Sequence, residues 1–245
     1  MRPVLFQWRG IAVRSYPAML FVGLTLGVVA GNMAAHAAGI NAVRVYVATL
    51  ILVVPALAGA RLLFVAAEWQ TYRHNLRRVW DRNDGGYIMY GGLPLALLAS
   101  VPLLRALGLG LGDFWDTAIF AILVGMFFAR IGCLLNGCCS GRPSNGWFSF
   151  NLPNERGAWE KRVPTQALEA LWAAVLLVSA VLARRFLVIP GSLFLMVAFG
   201  YACGRLLMES ARERRQSAFR FSIAHIVSLV IALVSISSLI IHWRK

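Results

Sequence analysis

A succession of long apolar runs, broken only by short polar connections, constrains this chain more than any other feature. The runs fall at about 17–35, 44–67, 87–107, 114–134, 166–187, 190–209 and 221–241. The hydrocarbon core of a bilayer takes about 20 helical residues to cross, and lipid offers backbone polar groups no partners of its own, so a run of that length is read as a spanning helix. The predicted fold is an all-α polytopic membrane protein with about seven transmembrane helices. The chain is 59% hydrophobic and only 14% charged, whereas a soluble domain averages about 45–50% apolar and about 25% charged. That excludes a soluble globular domain. The third run opens with Tyr90-Gly91-Gly92 and contains Pro94 and Pro102, residues that permit close backbone approach and bending. One long polar insertion, about 136–165, is rich in Gly, Pro, Asn and Trp; it reads as a small extramembrane head with a short hairpin expected around Gly146–Asn151. The spans are evenly distributed and no internal repeat is present, so residues 1–245 read as a single membrane domain carrying that head. Near the N-terminus, Arg2, Arg9 and Arg14 precede an apolar stretch ending in Ala35-His36-Ala37, a pattern like a signal-peptidase site. The run is long for a signal segment and is kept as the first span.

The formal charge is +14, which suits an anionic lipid surface or ligand. The arginines lie between spans, not on a separate basic domain, and that argues against nucleic acid. Two of them close apolar runs inside short polar constellations: Arg130 in Ala129–Gly137, and Arg205 in Tyr201–Glu209. An ionisable group within a membrane segment is costly unless paired or functional. Arginine keeps its charge and presents a planar fork of donors that matches a phosphate. The pair therefore points to an anionic lipid headgroup. Plainer readings stand beside this one. Arg205 and Glu209 are four apart and suit a helix-surface ion pair, Arg130 suits a snorkelling side chain, Tyr201 an interfacial aromatic, Asn136 a cap, and Arg61 a structural partner of Glu68. His36, His74 and His225 are scattered singly, with no chemical role expected. Cys133, Cys138 and Cys139 cluster in sequence. Small packing residues are the leading reading, followed by an extracytoplasmic disulfide and then a metal, for which four ligands are the usual set. Arginines concentrate on one set of span ends, so charge alone would place that side in the cytoplasm, unless those arginines bind lipid on the outer side.

Six motifs in order carry a resemblance to the bacterial prolipoprotein diacylglyceryl transferases, from about Trp8 to Ser228. Val13-Arg14-Ser15-Tyr16 resembles the first-span tyrosine motif, and Gly59-Ala60-Arg61-Leu62 the G-A-R-L of the second span. Tyr90-Gly91-Gly92-Leu93 stands where the family has H-G-G-L. Arg130-Ile131-Gly132-Cys133-Leu134-Leu135-Asn136-Gly137, followed by Gly141-Arg142, is similar to R-I-G-N-F-x-N-G and the later G-R. Pro164-Thr165-Gln166-Ala167-Leu168-Glu169 resembles P-S-Q-L-Y-E. Tyr201, Arg205, Glu209 and Arg212 reproduce Y-x-x-x-R-x-x-x-E-x-x-R.

The resemblance implies transfer of a diacylglyceryl group from phosphatidylglycerol to the sulfhydryl of a lipobox cysteine, with release of glycerol phosphate. It implies a multi-pass protein of the bacterial plasma (inner) membrane, with the active site and head on the extracytoplasmic side. Phosphatidylglycerol or another anionic phospholipid and a prolipoprotein are the expected partners, with no metal or organic cofactor. Carried over residue by residue, Tyr90, Arg130, Arg205 and Glu209 are the catalytic candidates. Tyr16, Arg61, Gly91, Gly92, Cys133, Asn136, Gly141, Arg142, Gln166 and Tyr201 are the substrate-binding ones. Two positions depart from the family pattern: Tyr90 replaces a histidine and Cys133 an asparagine. A phenol with a pKa of about 10 is a poor base at neutral pH but a good hydrogen-bonding group. A related transferase with another acceptor, or a non-catalytic protein that binds or translocates anionic lipid, is the alternative.

Overall fold

The computed structural model describes residues 2, 4–8, 11–73, 75–80, 86, 88–154, 157–212 and 223–243. The elements are β1 (Val4–Trp8), β2 (Ile11–Arg14), α1 (Ser15–Ala37), α2 (Ala42–Ala67), a short α3 (Trp69–Tyr72) with a 3-10 turn (Leu76–Trp80), α4 (Met89–Leu107), α5 (Leu111–Asn136), β3 (Phe150–Pro153), β4 (Trp159–Arg162), α6 (Thr165–Ala183), α7 (Ser192–Glu209) and α8 (Ile223–Trp243). Five helices are long and apolar enough to cross a membrane: α1, α2, α5, α6 and α7. The apolar parts of the other two, Gly91–Leu107 and His225–Ile240, are shorter. Among the described residues the bundle thus has five full-length spans and two shorter apolar helices, where the sequence suggested about seven alike.

Small residues set the helix spacing. Ser15, Gly23, Gly27, Gly31 and Ala35 are the buried positions of α1, and most of them recur every fourth residue, so they form one stripe. The stripe lies on α5: a Cβ on Gly27 would come within 2.7 Å of the Ala121 carbonyl oxygen, and one on Gly23 within 2.9 Å of Phe128 Cβ. Without a hydrophobic drive between helices in lipid, such close backbone approach is what holds spans together. Gly59 of α2 meets Gly91 of α4 in the same manner, and Gly92 lies against Ala56.

The densest core sits at the end of the bundle away from the head. Val45, Ala48, Leu52, Leu104, Phe114 and Trp115 pack there, and Trp115 Nε1 donates to Ser100 Oγ at 3.1 Å. At the same end Asp116 of α5 accepts from the backbone N–H groups of Gly191 and Phe194, both at 2.7 Å. The N-terminus of α7 thereby receives from a neighbouring helix the acidic cap its own sequence lacks.

The head is built around β3 and β4, paired antiparallel with Phe150 opposite Arg162 and Pro153 opposite Trp159. The hairpin lies later in the chain than the 146–151 expected, because the turn is made at Asn154–Gly157. Asn154 Oδ1 accepts from the Ala158 N–H at 3.0 Å, and Gly157 takes a left-handed φ of +80°. The β1–β2 hairpin before α1 has no counterpart in the sequence reading. Its start is tied down by the Ser15 hydroxyl, which donates to the Arg2 carbonyl.

Replacing Gly27 by leucine is expected to push α1 off α5. Overpacking of this kind costs about 1–3 kcal/mol, and each kcal/mol lowers the thermal midpoint of a chain this size by about 2–4 °C. Val29→Leu, at a position 49% exposed on the outer face, should leave the midpoint unchanged. Thermal unfolding of the three proteins in one detergent checks this.

Candidate active site

Three helices place ionised side chains at the head end of the bundle. Arg130 lies near the C-terminus of α5, Arg205 near that of α7, and Glu169 near the N-terminus of α6. Helix polarity favours cations at the first two positions and an anion at the third. The side chains converge on one carboxylate. Glu169 Oε2 meets Arg130 Nη2 at 2.5 Å, while its Oε1 meets Arg205 Nη1 at 3.1 Å and Arg212 Nη1 at 3.4 Å. Arg205 Nη2 also meets Glu209 at 2.7 Å. Arg205 is therefore clamped on both edges of its guanidinium, and its side chain is only 8% exposed. Among the described residues, three guanidinium groups meet two carboxylates, an excess of one positive charge. In surroundings of low dielectric such a charge attracts an anion far more strongly than it would in water.

The other candidate residues divide into those around this cluster and those elsewhere. Tyr201 of α7 lies within electrostatic range of Arg130. Tyr16 of α1 is in range of Arg130 and of the three cysteines, and packs on Gly132, where a Cβ would come within 3.3 Å of its ring. Gln166 is buried: its Nε2 donates to the Cys138 carbonyl at 2.6 Å, and its Oε1 has no hydrogen-bond partner among the described residues. Asn136 and Arg142 are exposed, at the end of α5 and in the head. Gly141 is buried where the head meets α7: its N–H donates to the Val163 carbonyl at 2.9 Å, and the Arg142 N–H donates to the Ala211 carbonyl at 2.9 Å. Neither segment has room at Gly141 for a Cβ, which would lie 2.5 Å from the Ala211 oxygen.

Arg61, Gly91 and Gly92 lie where α2 meets α4 and the segment before it. Arg61 Nε, Nη1 and Nη2 donate to the carbonyls of Val79, Gly86 and Arg78 at 3.0, 3.1 and 3.4 Å. Its guanidinium also covers the rings of Phe64 and Tyr72. It organises the connection between α2 and α4. Gly91 and Gly92 are occupied by close packing against α2. The side chain of Tyr90 lies outside the described residues, as do Arg214, Arg215 and Arg220.

Sequence reasoning passed over two residues that organise the site. Glu169 belongs to a quoted motif, yet its role as the shared anion depends on contacts across three chain segments. The signal available was an acid in the apolar run of α6. Arg162 is 2% exposed and holds the head together, with Nε on Glu160 at 2.8 Å and Nη1 on the Gly141 carbonyl at 2.9 Å. Between the head and α6, an open apolar groove of about 380 Å³ is lined by Leu134, Phe148, Phe150, Leu152, Leu168 and Leu171.

The three clustered cysteines also meet. The sulfur atoms of Cys133, Cys138 and Cys139 all lie within 4.8 Å of one another. Hydrogen bonds from the Cys133 thiol, and next from Cys139, pull the Cys138 thiol well below the usual cysteine range.

Fold and site together define a polytopic helical membrane protein with an arginine-rich polar centre at one end of its bundle. The family model described as prolipoprotein diacylglyceryl transferase matches residues 3–241, and the chain belongs to that family. Among its relatives, the phosphatidylglycerol–prolipoprotein diacylglyceryl transferase of Dehalococcoides mccartyi strain BAV1 is 28% identical over 248 aligned residues, covering 99% of this chain and 94% of the relative. The enzyme of the same name from Clostridium kluyveri is 26% identical over 242 residues, covering 97% and 95%.

Removing the shared anion leaves three guanidinium groups facing one another. Breaking a buried pair in this way costs about 3–5 kcal/mol, so Glu169→Ala, which reaches three arginines, should lower the thermal midpoint more than Glu209→Ala, which among the described residues pairs with Arg205. Parallel melts of the two variants in detergent check the order.

Proposed function

We propose that this chain transfers the diacylglyceryl group of phosphatidylglycerol to the sulfhydryl of a lipobox cysteine in a prolipoprotein, releasing glycerol phosphate. The observation that carries this reading is the convergence of Arg130, Arg205 and Arg212 on Glu169 in a chain of this family. In the reaction, sulfur forms a bond to the terminal glyceryl carbon as the bond from that carbon to the phosphate oxygen breaks. The electron pair leaves with glycerol phosphate, and the proton given up by the thiol passes to the departing phosphate or to water. Charge grows on the phosphate, where preorganised guanidinium donors are worth most. Arg130 and Arg212 each have one described carboxylate partner, Glu169, and a guanidinium carries five donors, so these two have donors to offer the phosphate. Arg205, held on both sides by Glu169 and Glu209, fixes the orientation. The attacking thiol, with an ordinary pKa of about 8.5, is helped toward thiolate by the same positive field. A dedicated strong base is therefore dispensable. The unpartnered Gln166 Oε1 suits a glyceryl hydroxyl, and the apolar groove at Leu134 and Leu168 suits an acyl chain.

Mass spectrometry of a lipobox peptide incubated with phosphatidylglycerol and the purified protein tests the reading directly. Arg205→Lys keeps a charge but loses the fork that spans Glu169 and Glu209; it should fold with a lowered melt and reduce transfer by about 2–4 kcal/mol of transition-state stabilisation. In the same assay Tyr90 acts by positioning an oxygen, not as a base. Tyr90→Phe should then cost about 1–3 kcal/mol, and Tyr90→His should transfer at least as well as wild type. Lipid binding without transfer by wild type and Tyr90→His would leave the lipoprotein acceptor wrong and favour another acceptor or a lipid-handling role.

The head ends of the helices face the extracytoplasmic side of the bacterial plasma membrane in this reading, because a lipobox thiol and the outer-leaflet lipid meet there. The arginine bias toward that side then reflects ligand binding and not the charge rule for loops. A reporter fused after Lys245 should be active only in the cytoplasm; activity only outside it would reverse the orientation.

A further inference from the structure

Cys133, Cys138 and Cys139 are the one cluster of metal-ligating side chains among the described residues whose ligand atoms converge. Their geometry is built by the backbone. Helix α5 ends at Gly137, which takes a left-handed φ of +74°, and the Cys138 N–H returns to the Cys133 carbonyl at 3.1 Å. Cys139 then adopts φ +64°, the only positive φ of a non-glycine residue among those described. An L-residue in that region costs about 1–2 kcal/mol, and outliers of this kind point to a local function. The strained turn is pinned from α6: Thr165 Oγ1 donates to the Cys139 carbonyl at 2.9 Å and Gln166 Nε2 to that of Cys138 at 2.6 Å. The consequence is that two adjacent cysteines present their sulfurs to a third one helical turn earlier.

Packing does not require this arrangement, since Cys139 is exposed. A disulfide does not use it either, because any pair leaves the third thiol beside the bond, placed to attack it by exchange. A metal ion uses all three. With zinc–sulfur distances of about 2.3 Å, three thiolates around one ion sit about 4 Å apart, so sulfurs already within 4.8 Å need only small side-chain adjustments. We propose that Cys133, Cys138 and Cys139 form a three-thiolate site for a thiophilic d10 cation of the zinc class, with the fourth coordination position open. Soft thiolates select such ions, exposed Cys139 provides the entry path, and the positive Arg130 lies in electrostatic range of Cys133 and Cys139 to balance the surplus negative charge. The ion would staple the end of α5 to the first residues of the head.

The test uses the full chain in detergent, fully reduced, freed of metal and titrated with cadmium(II) as the spectroscopic stand-in for zinc. One equivalent should produce a thiolate-to-metal absorption band in the ultraviolet and raise the thermal midpoint. Cys138→Ser and Cys139→Ser should each weaken binding by about tenfold or more, the scale seen even for losing a partner of a metal ligand, while Cys203→Ser should bind as wild type does. Should either serine variant not fold, Cys139→Ala at the exposed position replaces it, with its melt as the check of folding. Absence of the band at one equivalent, equal affinity in the folded triad variants, or an intact mass showing a disulfide within the triad that mild reductant leaves in place would each overturn the proposal.

Discussion

Glu169 is the anion on which the polar centre depends. It stands in an apolar helix, where an unpaired carboxylate would be prohibitively costly, and it is stabilised by cations from two other segments: Arg130 from α5, and Arg205 and Arg212 from α7 and its exit. The dependence is mutual. Without the carboxylate, three like charges would share one end of the bundle; without the arginines, α6 would carry a buried charge. Ion pairs in a dry environment are poor sources of net stability but strong sources of geometry. Here the geometry fixes which way α5, α6 and α7 are rotated about their axes.

That rotation also decides where the head sits. The strand-like pairing of Gly141 with Arg212 attaches the head to the residue that follows α7 and itself reaches Glu169. Arg162, the buried last residue of β4, holds the Gly141 carbonyl from the other side. The head is thus an extension of the charged cluster and not a separate module.

Spans were legible in the sequence because lipid leaves an apolar run few alternatives, and observed helices begin and end within a few residues of the runs. Arg130, Arg205 and Glu209 were legible for the same reason: a charge in such a run stands out. Glu169 was not singled out because its significance lies in contacts that join distant segments, while Glu209 offered Arg205 a local partner four residues away. The β1–β2 hairpin was missed because its strands are short and apolar and merge with the lead into α1. The glycine stripe of α1 was not read from the sequence, because only its contact with Ala121 and Phe128 of α5 gives it meaning. The left-handed Cys139, the feature that brings the three sulfurs together, leaves no trace in residue type at all.

Buried side chains are distributed unevenly along α5. Phe114, Trp115, Thr117, Ala118, Ile119, Phe120 and Leu123 are all buried, whereas Val124 to Ile131 are only half-buried, until Gly132 and Cys133 close the helix. The α2–α4 pair, bound internally by its glycines, meets the rest both through that first stretch and through α1, whose Ala35 shares the same core. Helix α5 stands like a mast, stepped in the aromatic core around Trp115 and stayed at its far end by the pairing of Arg130 with Glu169.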